Sequence, residues 1–119
     1  MTEYVILLPG DESSWEHASP AERAAVYDRH QRFAELLAEH NHKVTGGAEL
    51  THSREAWVVR DGDPVAITQG PYAETTEQLT GFYTVGTDDL EDLLQVVGML
   101  AAAGGAIEVR AAVDLQGQP

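Results

Sequence analysis

Short apolar runs and two longer stretches of helical spacing divide the chain. Glu3 to Leu8 (EYVILL) is an apolar run closed by Pro9-Gly10, the pattern of a buried strand that ends in a turn. Ser19-Pro20-Ala21-Glu22 reads as a helix start. Ser19 can serve as N-cap with Pro20 at the first helical position, and Glu22 can reach back to complete a capping box. From there to about His40, helical spacing puts Val26, His30, Phe33, Leu37 and His40 on one face, with Leu36 at its edge. Arg23, Asp28, Gln31, Arg32, Glu35 and Glu39 fall mainly elsewhere. Asn41-His42 breaks the helix.

The middle of the chain is strand-like. Lys43 to Leu50 (KVTGGAEL) starts as a strand and carries a Gly46-Gly47 pair, which points to a bulge or a close backbone approach. Ala56 to Arg60 and Val65 to Thr68 flank Asp61-Gly62-Asp63-Pro64, a hairpin signal. Gly81 to Val85 (GFYTV) is a further strand. Thr87 and Asp88 open a second helix, with acidic residues crowding its first turn, where the helix dipole favours them. Leu90, Leu93, Leu94, Val97, Leu100 and Ala101 share its packing face, and Gly104-Gly105 stops it. Ala106 to Val113 alternates as a last strand, and residues 116–119 form a frayed tail beyond a single domain over 1–115. The order β, α, β, β, β, β, α, β predicts an α+β fold. It suits an antiparallel, ferredoxin-like sheet with both helices on one face.

About a dozen residues, Gln69 to Thr80, separate the strands at Val65–Thr68 and Gly81–Val85, more than a hairpin needs. Long ordered loops in small domains often carry function, although a solvated connection is the default. This loop opens with Gly70-Pro71-Tyr72 and continues through Glu74, Thr75, Thr76, Glu77 and Gln78, a dense run of donors and acceptors.

Composition narrows the function. At 119 residues and 43% hydrophobic content, the chain is one globular domain with room for one core. It has no cysteine, which removes thiol catalysis, disulfides and thiolate metal sites. Twenty acidic residues against seven basic ones give a net charge of −13. That charge argues against nucleic acid, which requires a basic footprint, and against an anionic membrane surface. No apolar run approaches membrane-spanning length and no secretory pattern opens the chain, so a cytoplasmic location is expected.

His30 is the leading catalytic candidate. An imidazole beside an apolar face has a pKa that burial can move through neutrality, which suits proton transfer. The alternative is a core-edge histidine bonded to backbone. Tyr72 and Tyr83 can donate to a developing oxyanion, and Glu74 can act as base or orient His30; each has a structural reading as well. Asp11, Glu12 and Trp15 are candidates for the mouth of the same cleft, with Trp15 either anchoring on the core or forming a wall. His40 and His42 flank Asn41 and read as a solvated helix terminus, with no metal expected.

These pieces, in this order, resemble the YCII-related proteins, in particular the DGPF-domain subgroup. The resemblance runs from Gly10-Asp11-Glu12 and Trp15 through Ser19-Pro20-Ala21-Glu22, His30 and Phe33 to Gly46-Gly47-Ala48-Glu49-Leu50. It continues through Arg60-Asp61-Gly62, Gly70-Pro71-Tyr72-Ala73-Glu74-Thr75, Glu77-Gln78-Leu79 and Gly81-Phe82-Tyr83. It ends with Asp89-Leu90-Glu91 and Gly104-Gly105-Ala106-Ile107-Glu108-Val109-Arg110. It implies a bacterial, ferredoxin-like homodimer that forms a dimeric α+β barrel, without cofactor. Gln69-Gly70-Pro71-Tyr72 stands where the family has Asp-Gly-Pro-Phe. In the family a helix histidine and an aspartate are proposed as a catalytic pair, and Gln69 cannot supply that carboxylate. It can still fix a histidine tautomer by hydrogen bonding.

Two functions are therefore expected. The first is a small-molecule-binding protein whose pocket lies near the Gly70-Pro71-Tyr72 loop. It would act as a cofactor-independent lyase or isomerase, with His30 as general acid or base, Tyr72 and Glu74 assisting, and Trp15, Asp11, Gln69, Gly70, Pro71 and Tyr83 lining the pocket. The second is a non-catalytic accessory or ligand-sensing module that acts through a protein partner such as a sigma factor.

Overall fold

The computed structural model describes residues 1–102 and 105–115. Its elements are β1 (Thr2–Asp11), α1 (Glu12–Glu16), α2 (Pro20–Glu39), β2 (Lys43–Glu49), β3 (Trp57–Arg60), β4 (Ala66–Gln69), β5 (Glu77–Thr87), α3 (Leu90–Ala101) and β6 (Glu108–Ala111). A four-stranded antiparallel sheet has the order β2-β5-β1-β6, and β3 and β4 form a two-stranded ribbon of their own. The architecture is α+β and ferredoxin-like, with the ribbon inserted between β2 and β5.

The apolar run at the start of the chain forms a central strand because both its neighbours are strands. Ile6 pairs with Tyr83 on β5 and with Val109 on β6. Ile6 and Val85 are fully buried against Phe33 and Leu37 of α2 and Leu93, Val96, Val97 and Leu100 of α3. Each such side chain removed from water contributes about 1.5–3 kcal/mol, so this cluster fixes both helices on one face. On the other face, Leu7 pairs with Phe82 and Val5 with Thr84, and among the described residues both helices of the core lie on the opposite face.

The signals for α2 hold. Ser19 Oγ accepts from the Glu22 N–H at 3.1 Å, and Glu22 Oε1 accepts from the Ser19 N–H at 3.0 Å. At the far end His40 is the C-cap, and Asn41 takes φ +64°, a left-handed turn that asparagine tolerates. Gly46-Gly47 sits at a register shift in β2, as expected. A Cβ at Gly47 would lie 2.6 Å from the Phe82 carbonyl oxygen.

Several boundaries differ. β1 does not stop at Leu8; a register shift between Leu8 and Pro9 lets the strand continue to Asp11 although proline lacks an N–H. Its partner Glu77 thereby joins β5, and the expected long loop shrinks to residues 70–76. The polar segment after Asp11 is a short helix. Asp11 caps it, accepting from the Ser13 and Ser14 N–H groups. α3 begins at Leu90 with Asp89 as cap, because Thr87 is still paired with Thr2. Leu90 and Leu94 are partly exposed while Val96 is buried, so the packing face of α3 is rotated from the one expected. His42 is buried at 3% exposure, not a solvated terminus. Gly104 and the expected frayed tail, 116–119, lie outside the described residues. Among the described residues no helix is long and apolar enough to cross a membrane.

Candidate active site

A groove of about 1160 Å³ runs between α2 and the sheet, closed at one end by α1. Three α2 residues at helical spacing, Arg23, Tyr27 and His30, line it. Facing them are Tyr83 of β5 and Glu49 of β2, with Trp15 of α1 at the side.

His30 Nδ1 and the Tyr83 hydroxyl are 2.7 Å apart, with the two rings stacked at 5.9 Å. Burial pushes the imidazole pKa below its ordinary value; the positive charge of Arg29 adds to this and Glu49 opposes it. Burial also raises the Tyr83 phenol, which therefore stays protonated. Phe33 packs edge-on against Tyr83 at 5.3 Å and fixes the ring from below. With Nδ1 engaged by Tyr83, Nε2 is the nitrogen left to take or give a proton. Among the described residues no hydrogen bond engages it.

A second polar pair lies one turn away. The Tyr27 hydroxyl donates to both carboxylate oxygens of Glu49, at 3.0 and 2.9 Å. That hydrogen bond raises the Tyr27 pKa. The Tyr27 ring meets Trp15 edge-to-face at 5.6 Å, and the Arg23 guanidinium lies 5.2 Å from the Trp15 ring centroid. Arg23 donates to the carbonyls of Trp15 and Glu16, both at 3.0 Å, and its Nε is buried without a partner. Trp15 is thus a wall of the groove rather than an anchor on the core. Arg23, expected mainly off the apolar face, clamps α1 onto α2.

The structure brings His30, Tyr83, Trp15 and Asp11 to one groove. It leaves the 70–76 loop outside it. Pro71 and Glu74 line a smaller cleft of about 440 Å³ with Asp11, Glu12 and Ser53. Tyr72 is 86% exposed. Gln69 ends β4 opposite Trp57, and Gly70 follows it; neither lines the groove. Within one chain Glu74 therefore does not orient His30; Tyr83 holds that position. The lengthened β5 contributes to this: residues 77–80 are strand, so the loop is set back along the chain from Tyr83.

Tyr27, Glu49 and Arg23 escaped the sequence reading. Tyr27 had a usable signal, because it stands three residues before His30 on the same helix. Glu49 had none, since its role depends on the β2–β5 register.

A family model, the YCII-related domain, matches residues 2–116. No curated protein matches the chain.

Proposed function

The chain belongs to the YCII-related family, and from that premise we propose that the groove beside α2 binds a small organic molecule and that His30 exchanges a proton with it. The observation that carries this reading is the 2.7 Å contact between His30 Nδ1 and the Tyr83 hydroxyl inside a groove large enough for a ligand. An imidazole held by one nitrogen can take a proton at the other as a general base and return it as the imidazolium acid. Chemistry that needs only this is a cofactor-independent elimination or isomerisation on a carbon acid or enol. Acidic groups outnumber basic ones around the groove: Asp11, Glu12, Glu16, Glu22, Glu49 and Glu77 face Arg23, Arg29 and Arg54. Arg54 is already engaged, with Nη2 2.6 Å from Glu16 Oε1. This balance favours a neutral or weakly polar ligand over an anion.

The working unit in this reading is a homodimer forming an α+β barrel. The chain exposes 8310 Å², whereas a compact monomer of 12.9 kDa exposes about 6300 Å². The excess, roughly 2000 Å², exceeds the ~800 Å² per partner of a standard interface. The uncovered sheet face with Val5, Leu7 and Phe82 is the surface to be buried.

A second reading has its own support. Trp57, Val59 and Ile67 on the β3–β4 ribbon are 70%, 60% and 61% exposed. Val59 and Ile67 are cross-strand partners, so they present a common apolar face. That face suits a non-catalytic accessory or sensing module that docks a protein partner.

Native mass spectrometry of the protein purified gently from its own host, beside a His30→Ala variant, separates the two. A dimer carrying a small molecule that the variant loses supports the groove. A complex with a second polypeptide, present equally in both forms and without a small molecule, overturns it in favour of the accessory module.

A further inference from the structure

We propose that His40, His42 and Asp92 form a binding site for a divalent transition-metal ion of the zinc class. His40 Nδ1 lies 2.9 Å from Asp92 Oδ2, and His42 Nε2 lies 2.7 Å from the same oxygen. The three ligand atoms all lie within 4.8 Å of one another. The cluster is separate from the groove, because none of the three residues lines it.

Local backbone explains the convergence. The left-handed turn at Asn41 reverses the chain between the two histidines. Their rings therefore lie on one side, 6.3 Å apart and nearly parallel at 18°. Asp92 is aimed from the first turn of α3, where Asp89 Oδ1 accepts its N–H at 3.0 Å. Two imidazoles and a carboxylate are the ligand set that suits zinc and its neighbours rather than magnesium or calcium.

Supporting contacts already surround the buried ligand. The His42 side chain is 1% exposed. Its Nδ1 lies 2.7 Å from Thr87 Oγ1, which also accepts the Asp89 N–H at 3.0 Å. With Nδ1–H donating to that hydroxyl, the Nε2 lone pair is directed at the ion, the arrangement usual for a metal-bound histidine.

The distances are consistent with a small adjustment. Ligands at about 2.0–2.2 Å from a tetrahedral zinc sit about 3.3–3.6 Å from each other. The two short contacts must open by roughly half an ångström or more. His40 and Asp92 have that freedom, with side chains 42% and 36% exposed, while His42 stays as the fixed anchor. Three protein ligands leave one position for water. Asp88, Asp89 and Glu91 crowd the same turn, and the net charge of −13 adds a long-range attraction for cations.

The test is titration of the full chain, free of any affinity tag, with Zn²⁺ by calorimetry and with Co²⁺ by visible absorption. One ion per chain is expected, with the absorption bands of four-coordinate cobalt. His40→Ala and Asp92→Asn should each weaken uptake at least about tenfold. Asp92→Asn keeps an acceptor for both histidines, so it separates metal binding from a purely structural network. His17→Ala should leave uptake unchanged. Absence of saturable one-to-one uptake, or equal uptake by wild type and both ligand variants, overturns the proposal.

Discussion

Replacing Gly47 by alanine should damage the protein, while the same change at Gly98 should improve it. Gly47 has φ +151°, a conformation that side-chain-bearing residues rarely adopt. An added Cβ would lie 2.6 Å from the Phe82 carbonyl oxygen and 3.2 Å from Tyr83 Cα, both backbone atoms that cannot swing aside. The backbone strain alone costs about 1–3 kcal/mol, and with the clash a total of about 2–4 kcal/mol is expected. Relief requires β2 to peel from β5 at Tyr83, the residue that holds His30, so fold and site are weakened together. Gly98 lies within α3, is exposed, and has no heavy atom within 4 Å of an added Cβ. There alanine should add about 0.5–1 kcal/mol by removing glycine's excess unfolded-state freedom. Urea unfolding at fixed protein concentration reads both changes. For Gly47→Ala the melting temperature should drop by roughly 10 °C. A Gly47→Ala protein within about 0.5 kcal/mol of wild type would refute the close approach of β2 to β5 at this point.

Further outcomes follow from single contacts. Tyr83→Phe should cost about 0.5–1.5 kcal/mol in chemical denaturation, the net worth of its hydrogen bond to His30; no change would mean that the pair does not form. Thr87→Val should cost about 1–3 kcal/mol, because it strips the buried His42 Nδ1 and the Asp89 N–H of one shared partner; thermal melts decide this. Burial lowers the His30 pKa, so the unfolded chain binds more protons between that lowered value and the ordinary one of about 6.5. The His30 contribution to stability is therefore full above pH ~6.5 and lost as pH falls through the lowered value. The stability of wild type relative to His30→Gln should fall between about pH 7.5 and pH 5, and a constant or growing difference would contradict this sign. Ser19→Ala removes the capping box of α2 and should cost about 1 kcal/mol, read as a lower urea midpoint.

Much of this molecule follows from short-range sequence. Ser19, Pro20 and Glu22 start α2 wherever the rest of the chain goes, because capping groups bond within the first turn. Asn41 ends it for an equally local reason. The Asp61-Gly62 turn makes a hairpin of its flanking strands, and Gly46-Gly47 marks the place where β2 and β5 approach. The alternation of elements is enough for an α+β sheet with two helices packed on one face. The place of His30 beside the apolar side of α2 was legible too.

The partners of those residues were decided only by tertiary structure. His30 meets Tyr83 across 53 residues, and His42 meets Asp92 across 50. Such contacts depend on strand register, which no window of sequence encodes. A bulge between Leu8 and Pro9 lengthened β1 and β5 and carried the 70–76 loop away from His30, so Glu74 lost to Tyr83 as its neighbour. Which strands join the main sheet, and that β3 and β4 stand apart as a ribbon, is likewise seen only in the fold. Local propensity chooses helix, strand and cap within a few residues; the pairing of distant strands, and the burial it enforces, chooses which side chains meet.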